Sequence, residues 1–337
     1  MLGAYGGAAP SGAATPHRHV HVQPEVTFAL PPTTEGCAGV TALAGGAERV
    51  PITVSTVAGQ VEEAANVCID GQGPFPFVID SGAGESIIDA RLATRLALPH
   101  AGQASEFAGV GCTGRAQPVS VGSWSVAGLG LAPQTLTAAT LPDFGTPGQP
   151  VGLLGSDVLS RFGAVRLDFV AQTLTLGGPE GPAATGTKVV HGPVGPPPSA
   201  LLTEGETGTT VPLSVVLTPG LTALDISLRI KGGPKRTFVV DTGSSQSVVG
   251  RAVSSAEHLA PTDQAQRQST VCSTITVPLV HSGRWSLPGV ALHPQLLGVA
   301  SFGVIGAGGT SGLLGSDQLK RFGWVIFDYL GGRLVLG

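Results

Sequence analysis

Apolar residues along this chain fall in short runs broken by Gly and Pro, a pattern that predicts strands and turns in preference to long helices. A hairpin-like pair of strands leads to "FVIDSGAGES" at 77–86, where an apolar run ends on one carboxylate inside a Ser/Gly turn. "IIDARLATRLAL" at 87–98 follows, and its apolar spacing with Ala, Leu and Arg content predicts a helix. Gly-punctuated strands come next. A helical turn then starts at Ser156-Asp157, residue types suited to an N-cap and a first turn. A strand pair, "VRLDF" and "TLTL", closes the unit.

The same succession occurs twice. "FVIDSGAGES" has its counterpart in "FVVDTGSSQS" at 238–247, and "GLLGSDVLSRFGAVRLDF" at 152–169 returns as "GLLGSDQLKRFGWVIFDY" at 312–329. Val50-Pro51-Ile52 answers Val211-Pro212-Leu213, Trp124 answers Trp285 and Cys112 answers Cys272, all at a spacing of 160 or 161 residues. Matches spread this widely in one register identify a tandem duplication. The copies span residues 47–181 and 208–337, and residues 182–207, rich in Pro and Gly, read as a linker. Residues 1–46 are an N-terminal extension, disordered over its first part, with "EVTFAL" at 25–30 as an edge-strand candidate.

With 12% charged residues and a net charge of −4, the chain lacks the basic footprint of a nucleic-acid binder. No apolar run reaches the ~18 residues of a membrane helix, and no signal peptide is visible. The four Cys, at 37, 68, 112 and 272, are too few for a disulfide scaffold in a chain of 337 residues. They allow three pairings, and two bridges in an oxidising compartment or four buried thiols are both open.

Duplicated halves pack about a pseudo-two-fold axis, where equivalent residues meet. If Asp80 and Asp241 end strands near that axis, their carboxyls come together, and two carboxyls about 3 Å apart share one proton. The ionised member can take a proton from water while the protonated member polarises a carbonyl, so that water attacks an amide directly. The neighbours suit this task. Ser81 and Thr242 carry hydroxyls to bond across the axis, Gly82 and Gly243 permit close backbone approach, and Ser86 and Ser247 are spaced to reach back to the outer carboxyl oxygens.

Asp80-Ser81-Gly82-Ala83 and Asp241-Thr242-Gly243-Ser244 resemble the Asp-Thr/Ser-Gly-Ser/Ala signature of aspartic proteases. Each is followed downstream by the apolar-apolar-Gly element of that family, Leu153-Leu154-Gly155 and Leu313-Leu314-Gly315. The resemblance covers both copies, and each copy is similar to a single retropepsin lobe. It implies a mostly β fold of two homologous six-to-eight-strand β-barrel-like lobes about a pseudo-two-fold axis, the acid protease fold. It implies that Leu154, Gly155, Leu314 and Gly315 thread beside the Asp loops. It also implies a Gly-rich flap in each lobe: "FAGVGCTG" at 107–114, with Gly109, Val110, Gly111 and Cys112, and a counterpart around Cys272 that has lost its glycines. The pepsin flap tyrosine has no match, since the Tyr residues are Tyr5 and Tyr329.

If both are flaps, Cys112 and Cys272 lie at equivalent tips. A Cys112–Cys272 bridge with Cys37–Cys68 as the second would use all four cysteines, tie the flaps together and restrict substrate access until reduced; free thiols are the alternative. The expected activity is that of an aspartic endopeptidase, acting through Asp80 and Asp241 on a peptide or protein bound extended between the lobes under the flaps. The alternative is a catalytically silent peptide- or protein-binding module on the same fold. A monomer with both lobes in one chain is expected, without nucleic acid, membrane span, cofactor or metal. The bridges point to a secreted, cell-surface or periplasmic location.

Other repeated or clustered residues read as structural. Asp157, Asp317, Asp168 and Asp328 suit helix first turns and strand ends, and Arg161 and Arg321 cover surface or pair with them. Trp124 and Trp285 read as core, and His17, His19 and His21 fall in the disordered-looking leader.

Overall fold

Alternation in "QVEEAANVCI" puts Val61, Glu63, Ala65 and Val67 on one face of the strand Gln60–Ile69, and all four are buried. Glu63 is the polar exception. The computed structural model describes residues 37–142, 149–193, 195, 198–219, 221–302 and 309–337. The edge-strand candidate at 25–30, the three alternating histidines and Tyr5 lie outside them.

In the first copy ten strands form one sheet. Its Asp-bearing strand, Gln72–Asp80, runs between Gln60–Ile69, antiparallel, and Gly152–Gly155, parallel. Ile87–Asp89 pairs with the far edge of Gly152–Gly155. The second copy repeats the order: Arg236–Asp241 runs between Leu221–Ile230 and Gly312–Gly315, with Val248–Gly250 beyond. In both registers the closing glycine pairs with the aspartate, Gly155 with Asp80 and Gly315 with Asp241. One apolar core, including Phe77, Ile88, Leu154, Phe238, Val249 and Leu314, runs through both lobes.

The lobes join through strands that close each unit. Ala164–Asp168 pairs antiparallel with Trp324–Asp328, and Arg166 faces Ile326 at the centre of the ladder. Arg166 and Ile326 are equivalent positions of the two copies, so the pseudo-two-fold axis passes there. Thr173–Leu176 and Glu48–Pro51 extend the sheet on one side, and Arg333–Leu336 and Thr209–Pro212 on the other.

Several elements differ from expectation. The helix foreseen over 87–98 shrinks to Ala90–Arg95, because Ile87 and Ile88 join the sheet, as β-branched residues favour. Asp89 caps it, accepting from the Arg91 amide at 2.8 Å. The helical turns Ser156–Leu159 and Ser316–Leu319 start where foreseen, but Gly155 and Gly315 occupy their N-caps. The Ser156 and Ser316 hydroxyls are thereby free for other partners.

Residues 182–207 do more than link. Lys188–His191 pairs with the strand Thr209–Thr218, and Leu201 is buried against Ala164, Ile326 and Val335 of the interlobe sheet. Arg166 holds this segment, donating to the Leu201 carbonyl at 3.1 Å and to Glu206 Oε1 at 2.9 Å. The last part of the N-terminal extension is stapled to the first lobe by a Cys37–Cys68 disulfide, and Thr41–Ala42 pairs with Glu48–Arg49. Trp124 and Trp285 are core, each donating its indole N–H to a backbone carbonyl, of Ala132 and His293. Asp168 and Asp328 close strand-end turns and pair with Arg166 and Arg333. Arg161 pairs with Glu180, and Arg321 is exposed. No helix among the described residues is long and apolar enough to cross a membrane.

Candidate active site

Both aspartates end strands at the floor between the lobes, and the turn after each folds back to serve its carboxyl. Asp80 Oδ1 accepts from the amides of Gly82 (2.9 Å) and Ala83 (2.8 Å), and Asp241 Oδ1 accepts from Ser244 (3.0 Å). The two carboxyls adjoin each other, and Gly243 lies against Asp80 across the axis. A Cβ on Gly82 would overlap the Asp241 carboxyl, and one on Gly243 would overlap that of Asp80. Glycine is therefore required by close approach and not by an unusual dihedral. Asp80 is buried and Asp241 half-buried. Burial raises both carboxyls above the usual range, and the neighbouring Asp80 charge lifts Asp241 further.

Ser81 and Thr242 do what their spacing foresaw. The Ser81 amide donates to Thr242 Oγ1 at 2.9 Å and the Thr242 amide to Ser81 Oγ at 3.1 Å. Ser81 Oγ donates to the Val240 carbonyl at 3.0 Å, and Thr242 Oγ1 to that of Ile79 at 2.6 Å. Each loop thus completes the other's buried backbone bonding. Thr242→Val keeps the shape and leaves the Ser81 amide and the Ile79 carbonyl unpaired, so it is expected to cost about 2–4 kcal/mol in denaturant unfolding. A loss within experimental error would dismiss the loop exchange as a stabilising device.

Ser86 and Ser247 are placed differently from expectation. Instead of reaching the Asp80 and Asp241 carboxyls, Ser86 Oγ donates to Asp157 Oδ1 and Ser247 Oγ to Asp317 Oδ1, both at 2.7 Å. Each hydroxyl also accepts the amide of Gly155 or Gly315 at 2.9 Å. The serines clamp the apolar-apolar-Gly strand and the first helical turn under the Asp loop. Leu154 and Leu314 are buried there, and a Cβ on Gly155 or Gly315 would strike the loop backbone.

Ser156 and Ser316, read from the sequence only as helix-start residues, also support the Asp loops. Ser156 Oγ donates to the Ser81 carbonyl at 2.9 Å and meets the Tyr329 hydroxyl at 3.0 Å. Ser316 Oγ lies 3.1 Å from the Thr242 carbonyl and donates to Glu63 Oε2 at 2.9 Å. Asp157 and Asp317 also support the loops, beyond their place in a helix first turn. Burial raises both, Asp317 to about 6. The signal was present in the repeated Gly-Ser-Asp of "GLLGSD".

Above the floor stand two hairpins. One joins Ser105–Gly109 to Cys112–Val121 through Val110-Gly111, and the other joins Ala260–Ser269 to Thr274–His281. The second forms a hairpin although it lacks the glycines of the first. A Cys112–Cys272 disulfide connects the two tips. Among the described residues no group of His, Cys, Asp or Glu is arranged to hold a metal ion.

Two repeated β lobes with paired aspartates on a shared floor define a bilobal acid-protease-type protein. The aspartyl protease family profile matches residues 65–158 and again 226–318, more than half of the chain, and the chain belongs to that family. Among solved structures it is similar to the aspartic proteinase from Irpex lacteus, at 13% identity and a TM-score of 0.48, covering 87% of this chain and 97% of that one. It is also similar to Basic 7S globulin from soybean, at 11% identity and a TM-score of 0.45, covering 87% and 95%. No curated protein matches the sequence.

Proposed function

We propose that the chain is an aspartic endopeptidase whose two catalytic residues are Asp80 and Asp241. The observation that carries this reading is the close approach of two desolvated carboxyls, one from each copy, inside reciprocally bonded loops. Such a pair holds one proton over a wide pH range. Its ionised member accepts a proton from water as the oxygen attacks a peptide carbonyl, and its protonated member donates to the carbonyl oxygen, without a covalent intermediate. An extended peptide would lie between floor and flaps, adding to the hairpin backbone as a strand. Domains 47–181 and 208–337 would act as the two lobes, and one chain suffices because it holds both aspartates. No cofactor enters the chemistry. Two disulfides favour an oxidising compartment, hence a secreted, cell-surface or periplasmic protein.

The test is cleavage of a peptide library across pH 3–7 by the wild type and by Asp80→Asn, with and without pepstatin. Cleavage by the wild type alone, blocked by pepstatin, is the expected result. Cleavage by neither protein would leave the silent binding module, and equal cleavage by both would exclude this dyad. Gly82→Ala and Gly243→Ala are each expected to lower kcat/KM by about 100-fold, because the new methyl displaces the opposite carboxyl. Unimpaired turnover in either variant would contradict that close approach.

A further inference from the structure

The bridge between the hairpin tips closes the space over the aspartates into a ring. Its floor is the Ser81/Thr242 exchange together with the ladder of Ala164–Asp168 and Trp324–Asp328. Its walls are the lobes, and its roof is two hairpins joined covalently through Cys112–Cys272. The tips lie on the face that bears the dyad. Side chains alternate along a strand, so Val78 shares a face with Asp80 and Val239 with Asp241. Val271, from the second hairpin, packs on the first lobe's cluster, which holds Val78, Ile87, Leu153 and the first hairpin's own Ala116 and also takes Ala83 and Phe107. Val110, from the first hairpin, packs on the second lobe's cluster, which holds Val239, Val248, Leu313 and the second hairpin's own Val277 and Leu279. Each tip therefore crosses into the opposite lobe's apolar lining, and the bridge holds the crossing. Asp241 keeps partial exposure.

If hairpin tips meet without a covalent link, they can part and admit the middle of a chain sideways. Here parting requires breaking a covalent bond, and the alternative route, through the floor, separates the lobes. We propose that Cys112–Cys272 makes this a threading site: substrate enters end-first, as a flexible terminus or short linear peptide, and a segment held between two folded domains is excluded. The proposal rests on the dyad being the place where peptide binds and is cut.

The experiment presents one peptide, chosen from the library, in two forms: free, and as the linker between two small folded domains. Oxidised wild type is expected to cleave the free form faster by more than an order of magnitude, and a Cys112→Ser/Cys272→Ser variant is expected to erase that preference. Equal cleavage of both forms by oxidised protein would overturn the proposal, as would a preference that survives removal of the bridge. The same two ligands are compared for association, by fluorescence anisotropy, on an Asp80→Asn background with and without the two serines. If no form is cleaved by any protein, the peptidase reading fails, while this association comparison still decides threading. Should the double variant not fold, wild type reduced with a trialkylphosphine, its fold checked by circular dichroism, takes its place.

Discussion

Asp80→Asn or Asp241→Asn is expected to lower kcat/KM by about 10²–10⁴-fold, the range associated with losing a positioned acid or base. Either change removes the shared proton's second site, so neither variant should be rescued by shifting pH. In the wild type the active form carries one proton on the pair. Activity should fall in strong acid, where both members are protonated, and again as pH rises through the upper macroscopic pKa, where both ionise. Stability gives an independent reading. Both carboxyls are raised in the folded protein, chiefly by burial. Their favourable contribution is fully present below the unfolded pKa and is lost as pH rises through the folded values. An Asn variant escapes that loss and should be more resistant than wild type to urea at pH 8, and closer to it at pH 4. Retained peptidase activity in both Asn variants, measured on protein free of contaminating proteases, would refute the assignment.

Glu63→Leu is expected to produce the largest gain in stability at alkaline pH. Glu63 has 0% exposure, one hydrogen bond, from Ser316, and an Oε1 without a hydrogen-bond partner among the described residues. Burial raises it from 4.5 to about 8; Glu62 beside it adds to the shift, and the Ser316 bond and Lys320 oppose it. Folding therefore takes up a proton between those values, and stability declines as pH rises from about 5 to 9. The ionised form costs on the order of 4–5 kcal/mol by the size of the shift. The duplication offers the replacement. Leu224, buried at 0% exposure, is the equivalent residue in the second copy, on the strand that packs against Ser156–Leu159 as Glu63's strand packs against Ser316–Leu319. Glu63→Leu should flatten the decline, and Glu63→Gln should do so in part while keeping an acceptor for Ser316. Urea unfolding at several pH values measures this; an unchanged slope in both variants would exclude Glu63 as its source. Asp317, raised to about 6, adds a smaller loss in the same direction. Glu206 behaves oppositely. Its Arg166 bond lowers it from 4.5 to about 2, so its contribution is present above the unfolded value and is lost as pH falls towards about 2. The balance favours a protein most stable in weak acid.

The legible part of the site lay in local signals carried twice. An apolar run ending in Asp-Ser-Gly or Asp-Thr-Gly needs only its own turn to present a carboxyl, so Asp80, Asp241 and the glycines could be read directly. Ser86 and Ser247 were chosen correctly as loop supports and matched to the wrong partner. Counting residues from Asp80 places Ser86 within reach, but its actual acceptor, Asp157, sits in the helical turn that follows a distant strand pairing in parallel. The docked segment 182–207 escaped notice because its composition is that of a linker. Leu201 and Arg166 hold it through a surface that exists only after the lobes have joined.

By itself the sequence determined the duplication, the pairing of an Asp turn with a glycine strand in each copy, and hence the family. These depend on short-range turn chemistry and on a register that can be counted. Tertiary structure alone decided which hydroxyl serves which carboxylate, that Glu63 is buried where its twin is Leu224, and that the hairpin tips cross before being bridged. Each of those is a contact between the copies or between distant strands, and burial acts on a side chain only once its neighbours have closed over it. "FVIDSGAGES" specifies a carboxyl in a turn; the other lobe determines that it faces a second one.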